Sequence, residues 1–455
     1  MSTNGLTKAK SRIEAFVDEG SFVEIGSLVS ARATDFASLR QEAPGDGVVT
    51  GFATIGGKLV YIYSQDASVL GGSLGEMHAK KIVRIYDMAI KMGAPVIGLL
   101  DSAGVRLEEA TDALHGFQLL YLAEAKASGV VPQIMVVYGK CGGGMALSAG
   151  MADFVFMEEK DSSLFVNAPN TLDSNYKEKC NTASAKYQSR ESGIVDGFGS
   201  EEELASYVAS LVSMLPSNNE DTAAEEALDD LNRMTDELQG ETDIRVIAGA
   251  VADTGLFIET KRDYAEDVVT GFMRLDGVTV GLVGNQDAKM TAAGLHKAAS
   301  LVKFCDAFDI PVVTLVNASG FKASAEEEKA LPKAGADLLY AYANATVPKI
   351  GVIISEAFGS AYMTMTLGAD VVYALSDAKI GIMDAGMAAK ILAGDGDVSE
   401  TAARFEEKQS ALAQAKRGYV DGLVEAASLR KQILAALEML FSKREDAPLK
   451  KHGTK

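Results

Sequence analysis

The sequence predicts an α/β protein made of two copies of one fold in tandem. Three observations predict it. The chain has 455 residues, beyond the size at which a single core stops growing. Apolar strand-like runs, Leu59–Tyr63, Val96–Leu100 and Ile134–Tyr138, alternate with helical patterns at Glu76–Lys91 and Asp112–Ala127; this grammar reads as βαβ units around a mostly buried sheet. The chain also repeats itself. Pro95 and Pro311 lie 216 positions apart, and so do Gly104 and Gly320, Pro132 and Pro348, Gly143 and Gly359. One offset held over about 50 residues marks a duplication rather than a solenoid of short units.

Each copy opens on the same strand, Val48-Val-Thr-Gly-Phe52 and Val268-Val-Thr-Gly-Phe272, and then reaches a Gln-Asp pair, Gln65-Asp66 and Gln286-Asp287. The four prolines stand just before strands, where a missing N–H is tolerated. After the third strand of each copy comes a run of small residues leading into an apolar helix, Gly139-Lys-Cys-Gly-Gly-Gly-Met-Ala-Leu147 and Ser355-Glu-Ala-Phe-Gly-Ser-Ala-Tyr-Met363. Such a turn leaves backbone N–H groups free at a helix N-terminus, and small residues let a ligand oxygen approach them. Close helix–strand packing would also use glycine, but the repetition of the turn favours an oxyanion-binding role. The boundaries read as 1–215 and 244–455, with an acidic linker at 216–243 that carries a helix over Ala223–Leu238.

Composition narrows the function. Asp and Glu number 63 against 43 Lys and Arg, a net charge of −20, which argues against nucleic acid as the partner. No apolar run reaches transmembrane length, the N-terminus has no signal-peptide form, and three cysteines without metal spacing fit a reducing cytoplasm. With four histidines, neither a metal site nor a His-based triad is expected. Gly71-Gly-Ser73-Leu-Gly75 matches a nucleophile elbow in form but lacks triad partners; a loop closing over ligands is the better reading. Cys141 reads as a buried filler. Lys80, Lys81 and Arg84, and likewise Glu108-Glu109 and Glu326-Glu-Glu328, read as solvated helix faces, and Arg106 as a structural ion pair or an anion contact.

Further strings carry a resemblance: Gly45-Asp-Gly-Val-Val-Thr-Gly-Phe52, Gly71-Gly-Ser-Leu-Gly-Glu76, Asp101-Ser-Ala-Gly-Val-Arg106, Ser128-Gly-Val-Val-Pro-Gln133, Phe304-Cys-Asp-Ala-Phe308 and Leu338-Leu-Tyr-Ala-Tyr342. Together they resemble the carboxyltransferase subunit of biotin-dependent acyl-CoA carboxylases and decarboxylases, of the propionyl-CoA carboxylase β and methylmalonyl-CoA or glutaconyl-CoA decarboxylase α type. The resemblance implies a tandem pair of crotonase-like domains with two oxyanion holes that face one another across a dimer interface. Gly143 and Gly144 match the hole for the thioester oxygen of a small acyl-CoA, and Ser360 and Ala361 match the hole for the ureido oxygen of biotin, so that both enolates are stabilised by backbone donors. Gly72, Ser73, Gly104, Arg106, Gly320, Phe321, Gly359, Tyr362 and Met363 match the walls of the substrate and biotin pocket. Met363 stands where relatives have aspartate, and Asn317-Ala-Ser-Gly-Phe321 where they have Asp-x-Pro-Gly-Phe. Biotin is implied on a partner, a biotin carboxyl carrier protein, because Ala89-Ile-Lys91-Met92 lies in a helical run rather than at an exposed hairpin tip. A biotin carboxylase or a membrane decarboxylase subunit, and a homo-oligomer (a dimer or a trimer of dimers), are the other implied partners. The alternatives are a crotonase-type enoyl-CoA hydratase or isomerase, or a catalytically degenerate assembly subunit.

Overall fold

The computed structural model describes residues 7–35, 43, 45–173, 180–222, 224–227, 229–394, 397–445, 448 and 450. The chain divides into two compact units, Met1–Asp221 and Thr222–Lys455.

In the first unit, β1 (Val23–Glu24), β2 (Val48–Ile55), β3 (Lys58–Gln65), β4 (Val96–Ser102), β5 (Gln133–Gly142), β6 (Phe154–Glu158), β7 (Ser163–Phe165) and β8 (Gly197–Gly199) form one sheet in the order β1-β2-β3-β4-β5-β6-β8, with β7 beside β5. The β1, β2 and β3 pairings are antiparallel; from β3 onward the sheet is parallel. Parallel strands covered on both faces need continuous apolar runs, and Val96–Leu100 and Ile134–Val137 are buried throughout. The helix Glu76–Met92 follows β3 and buries Ala79, Ile82, Ile85, Tyr86 and Ala89, a stripe at helical spacing. It ends on Gly93 in the left-handed conformation, the usual stop. Each fully buried isoleucine on this stripe contributes roughly 1.5–3 kcal/mol.

The second unit repeats the plan with β9 (Phe257–Thr260), β10 (Val268–Leu275), β11 (Val278–Asn285), β12 (Lys289–Met290), β13 (Val312–Ala318), β14 (Gly320–Phe321), β15 (Lys349–Phe358), β16 (Val371–Leu375), β17 (Lys379–Gly381) and β18 (Gly422–Val424). Its main sheet runs β18-β16-β15-β13-β11-β10-β9, with β17 beside β15. The duplication extends to register. The β4/β5 pairing slips between Leu100 and Ser102 and resumes at Ser102 opposite Cys141. The β13/β15 pairing slips between Val316 and Ala318 and resumes at Ala318 opposite Ala357. Each of these residues is 216 positions from its counterpart.

The hairpins follow a different offset, and this corrects one correspondence. Gln65 pairs with Val48, and Asn285, not Gln286, pairs with Val268. The two Gln-Asp pairs are therefore one residue out of register. Gln65 Oε1 accepts from the Asp101 N–H (3.1 Å) and Asn285 Oδ1 accepts from the Asn317 N–H (2.8 Å), so Gln65 and Asn285 do the same work.

The stretch 216–243 is divided between the units. Asn219 N–H donates to the Val130 carbonyl, Glu225 N–H to the Gly277 carbonyl and Thr235 N–H to the Ala427 carbonyl. The described residues of 223–238 form no α-helix: Ala224 makes an isolated bridge to Val278, and only Asp236–Leu238 is helical, as a 3₁₀ turn. Among the described residues no helix is long and apolar enough to cross a membrane.

Candidate active site

In the first unit β5 ends at Gly142, and the helix Gly144–Met151 begins two residues on. Gly143 makes the corner at φ 58°, ψ −121°, a conformation that costs any other residue about 1–3 kcal/mol. Its N–H donates to the Phe165 carbonyl at 2.9 Å. Gly143 therefore shapes the turn, and its own donor is already used. Gly144 and Met145 open the helix, so their N–H groups have no acceptor within its first turn. A Cβ on Gly143 would meet nothing within 4 Å, so the mouth of the turn is open.

Gly104 closes one side of this turn. Its Cβ position lies 3.2 Å from the Gly142 carbonyl oxygen, and its carbonyl accepts from the Leu74 N–H at 2.8 Å. Leu74 and Val105 form a parallel bridge, and the Arg106 N–H donates to the Leu74 carbonyl at 3.0 Å. The 71–75 loop is thus laced onto the end of β4. Gly72, at φ 64°, has its Cβ position only 2.1 Å from the Asp101 carbonyl oxygen; no side chain fits there. Ser73 Oγ donates to the Leu70 carbonyl at 2.7 Å and accepts from Arg106 Nε at 3.2 Å. This hydroxyl holds the loop and has no histidine partner among the described residues, so the nucleophile-elbow form is incidental.

Arg106 is 2% exposed. Its guanidinium donates to Glu109 (2.8 Å), to the Ser73 carbonyl (2.6 Å) and to Asp46. It is a buried tie between three segments, the structural ion pair that the sequence offered beside an anion contact. Burial raises the Asp46 carboxyl, against the pull of Arg106. Glu109 is buried too and accepts from the Glu76 N–H at 2.6 Å. In the second copy Glu327 accepts from the Ala292 N–H at 2.8 Å. Both acids cap a helix N-terminus, where a solvated face was expected. Lys81 is likewise buried, and its ammonium donates to the Gly45 and Val48 carbonyls; burial lowers it to about 8. Lys297 occupies the matching position, donates to the Tyr264 carbonyl at 2.8 Å and is also lowered to about 8. Lys80 is paired with Glu76.

The second unit carries the matching turn. β15 ends at Phe358 and the helix Gly359–Thr366 starts at Gly359, φ 59°. Ser360 is exposed and Ala361 is buried; both lie in the first helical turn. Tyr362 is partly buried, which raises its hydroxyl. Met363 is 56% exposed. Gly320 and Phe321 pair with Lys289 and Met290, as Val105 pairs with Leu74, and the Lys322 N–H donates to the Met290 carbonyl at 2.9 Å. The loops beside both turns are therefore built alike.

Other acid–base candidates are withdrawn from solvent. His78 is fully buried between the Asp46 carbonyl (2.8 Å) and Gln65 (3.2 Å) and is lowered to about 3, chiefly by burial. Burial pushes the Cys141 thiol far up. Among the described residues no cluster of His, Cys, Asp and Glu could hold a metal. The first turn has neighbours that the sequence did not single out. Phe117, Tyr121 and Glu124 project from one face of the helix Ala110–Ala127, with Tyr121 Oη 2.8 Å from the Gly144 carbonyl and Glu124 bonded to Ser148. An acid on an otherwise apolar helical face was the available signal.

A fold of two crotonase-like copies with paired turns defines a class, and comparison with known proteins gives the family. The carboxyl transferase domain matches residues 2–454, and the chain belongs to that family. It is 38% identical to the methylmalonyl-CoA decarboxylase α subunit of Veillonella parvula, over 99% of this chain and 93% of that protein. It is 39% identical to the propionyl-CoA carboxylase β chain of Roseobacter denitrificans, over 98% and 93%. A transcarboxylase 12S crystal structure, solved as a hexamer with methylmalonyl-CoA and methylmalonic acid bound, superposes with a TM-score of 0.93 at 34% identity, covering 98% of this chain and 92% of that one.

Proposed function

We propose that this protein is the carboxyltransferase component of a biotin-dependent system, moving a carboxyl group between biotin and the α-carbon of a small acyl-CoA. The observation that carries the reading is the pair of strand–turn–helix corners at Gly143 and Gly359, matched in backbone sign and in supporting loops. Full-length similarity to enzymes named for methylmalonyl-CoA and propionyl-CoA supports the substrate class.

In this reading the acyl thioester oxygen sits against the N–H groups of Gly144 and Met145, with Gly143 fixing the corner. Negative charge grows on that oxygen as the α-carbon loses its proton or its carboxylate, and preorganised donors at a helix N-terminus stabilise the charge without reorganising. One such donor is worth about 3–4 kcal/mol. The turn at Ser360 and Ala361 offers the same kind of donors to the ureido oxygen of biotin, whose chemistry supplies the carboxyl group and the base. The burial of His78 and Cys141 fits a site whose protein contribution is positioning and electrostatics. The two turns act together when two copies of the chain associate, with biotin delivered on a carrier subunit.

The test is decarboxylation of malonyl-, methylmalonyl- and glutaconyl-CoA by the purified chain, with free biotin or a biotin carrier. Biotin-dependent turnover of at least one is expected. Hydration of an enoyl-CoA without biotin would assign a hydratase instead, and CoA-ester binding without turnover would assign an assembly subunit.

A further inference from the structure

The first turn is held by a group that the second turn lacks. Tyr121 lies on the helix Ala110–Ala127, and its hydroxyl donates to the Gly144 carbonyl at 2.8 Å. Its ring packs against Phe117, with centroids 5.8 Å apart. A Cβ on Gly144 would come within 2.8 Å of both Tyr121 Oη and Phe117 Cε1, so the turn rests directly on these two rings. Burial raises the Tyr121 hydroxyl, which keeps it a donor.

The carbonyl that Tyr121 grips belongs to the peptide unit whose N–H is that of Met145. A peptide is planar and trans, so fixing its oxygen fixes the opposite direction of its N–H. Donation to the carbonyl also polarises the amide and strengthens its N–H as a donor. We propose that Tyr121 is a positioning residue for the first turn, holding the Gly144–Met145 peptide so that the Met145 N–H faces the acyl thioester oxygen. This rests on the reading of that turn given above.

The second copy sharpens the point. Within this helix the copies lie 218 apart, as the capping acids Glu109 and Glu327 and the buried stripes Gly116–Glu124 and Ala334–Tyr342 show, which places Leu339 where Tyr121 stands and Gly335 where Phe117 stands. Neither has a side chain that can donate a hydrogen bond. Among the described residues no side chain grips the second turn in this way, and the strut belongs to the acyl-CoA half of the reaction.

Tyr121→Phe keeps the ring and removes only the hydroxyl. The probe is propionyl-CoA labelled with ¹³C at the thioester carbonyl, read by isotope-edited infrared difference spectroscopy on the full-length protein, together with steady-state kinetics. The wild type shifts the bound carbonyl band to lower frequency. In Tyr121→Phe the shift is expected to shrink, kcat to fall about tenfold, and KM for the acyl-CoA and the melting temperature to stay near wild type. An unchanged shift and kcat in the variant would overturn the positioning role while leaving the thioester reading intact. No shift in the wild type itself, despite turnover, would overturn both. A fall in melting temperature with an unchanged carbonyl shift would make Tyr121 a packing residue and refute the proposal.

Discussion

Glu124 offers a quantitative test of how the first turn is mounted. Its side chain is 1% exposed. One carboxyl oxygen accepts from Ser148, on the helix that the turn opens, and Oε2 has no hydrogen-bond partner among the described residues. Burial is the largest influence and raises the group from 4.5 to about 7, with the Ser148 bond pulling the other way. Tyr63, Tyr86, Tyr121 and Cys141, which feel its charge, are all raised by burial and are neutral at pH 7. An acid raised on folding binds more protons native than unfolded between about pH 4.5 and 7, so stability falls as pH rises through that window and levels off above it. The span corresponds to roughly 3 kcal/mol. Glu124→Gln keeps the shape and removes the titration. Near pH 5 variant and wild type should melt together; by pH 8 the variant should be the more stable by of order 3 kcal/mol, up to roughly 10 °C for a unit of this size. Asp153, also raised to about 7, tilts both proteins equally, so the difference between their curves isolates Glu124. Scanning calorimetry from pH 5 to 8 reads it. Parallel curves, or a variant less stable at pH 8, would refute the assignment of Glu124 as a buried, under-compensated acid.

Three other outcomes follow from the same geometry. Gly143→Ala adds a methyl group with no atom within 4 Å of it, so its effect is conformational: about 1–3 kcal/mol of strain and, if the corner relaxes, a loss of 10²-fold or more in kcat, while full activity at unchanged melting temperature would remove Gly143 from the site. Arg106→Met strands Asp46 and Glu109 in the interior and should cost about 3–5 kcal/mol; in Arg106→Lys, KM for the acyl-CoA should stay within about twofold as melting temperature drops, and a KM effect without a stability effect would restore a ligand-binding role. Gly72→Ala forces a Cβ to 2.1 Å from the Asp101 carbonyl oxygen, so the 71–75 loop must lift; soluble expression and limited proteolysis should both report it, and a wild-type proteolysis pattern would contradict the packing described for that loop.

The strands and helices were legible because their signals are local. Leu59–Tyr63, Val96–Leu100 and Ile134–Tyr138 are apolar and β-rich, and each falls inside an observed strand. The constant offset was legible because prolines and glycines mark strand starts and corners. What failed was whatever depends on a second segment folding back. Lys81 and Glu109 look solvated on a helical wheel, yet the Gly45–Val48 segment and Arg106 cover them. The two Gln-Asp pairs share letters but not register, because the ladder matches Gln65 to Asn285. The acidic run before Leu238 suggested a helix by composition, but bonds to Gly277 and Ala427 hold its backbone in extended and turn conformations.

The two copies have not diverged evenly, and the pattern bears on function. Groups that build the frame persist at matched positions: Lys81 with Lys297, Glu109 and Glu327 capping the same helix start, Gln65 with Asn285, and the paired slips after Leu100 and Val316. Groups at the positions that touch the turn and its helix differ: Tyr121 against Leu339, Glu124 against Tyr342, Cys141 against Ala357, Ser148 against Thr364. Ser148 bonds Glu124, whereas Thr364 donates to the Ala361 carbonyl at 2.8 Å within its own helix. A turn kept only for packing would keep its packing partners along with its glycine. Conserved corners on exchanged supports fit the proposal of two donor sets tuned to different acceptors. On that reasoning Tyr342→Phe, at the position of Glu124 and removing the hydroxyl bonded to Thr314 at 2.8 Å, should leave the thioester carbonyl shift untouched, and a loss of that shift would show that the two copies share one task.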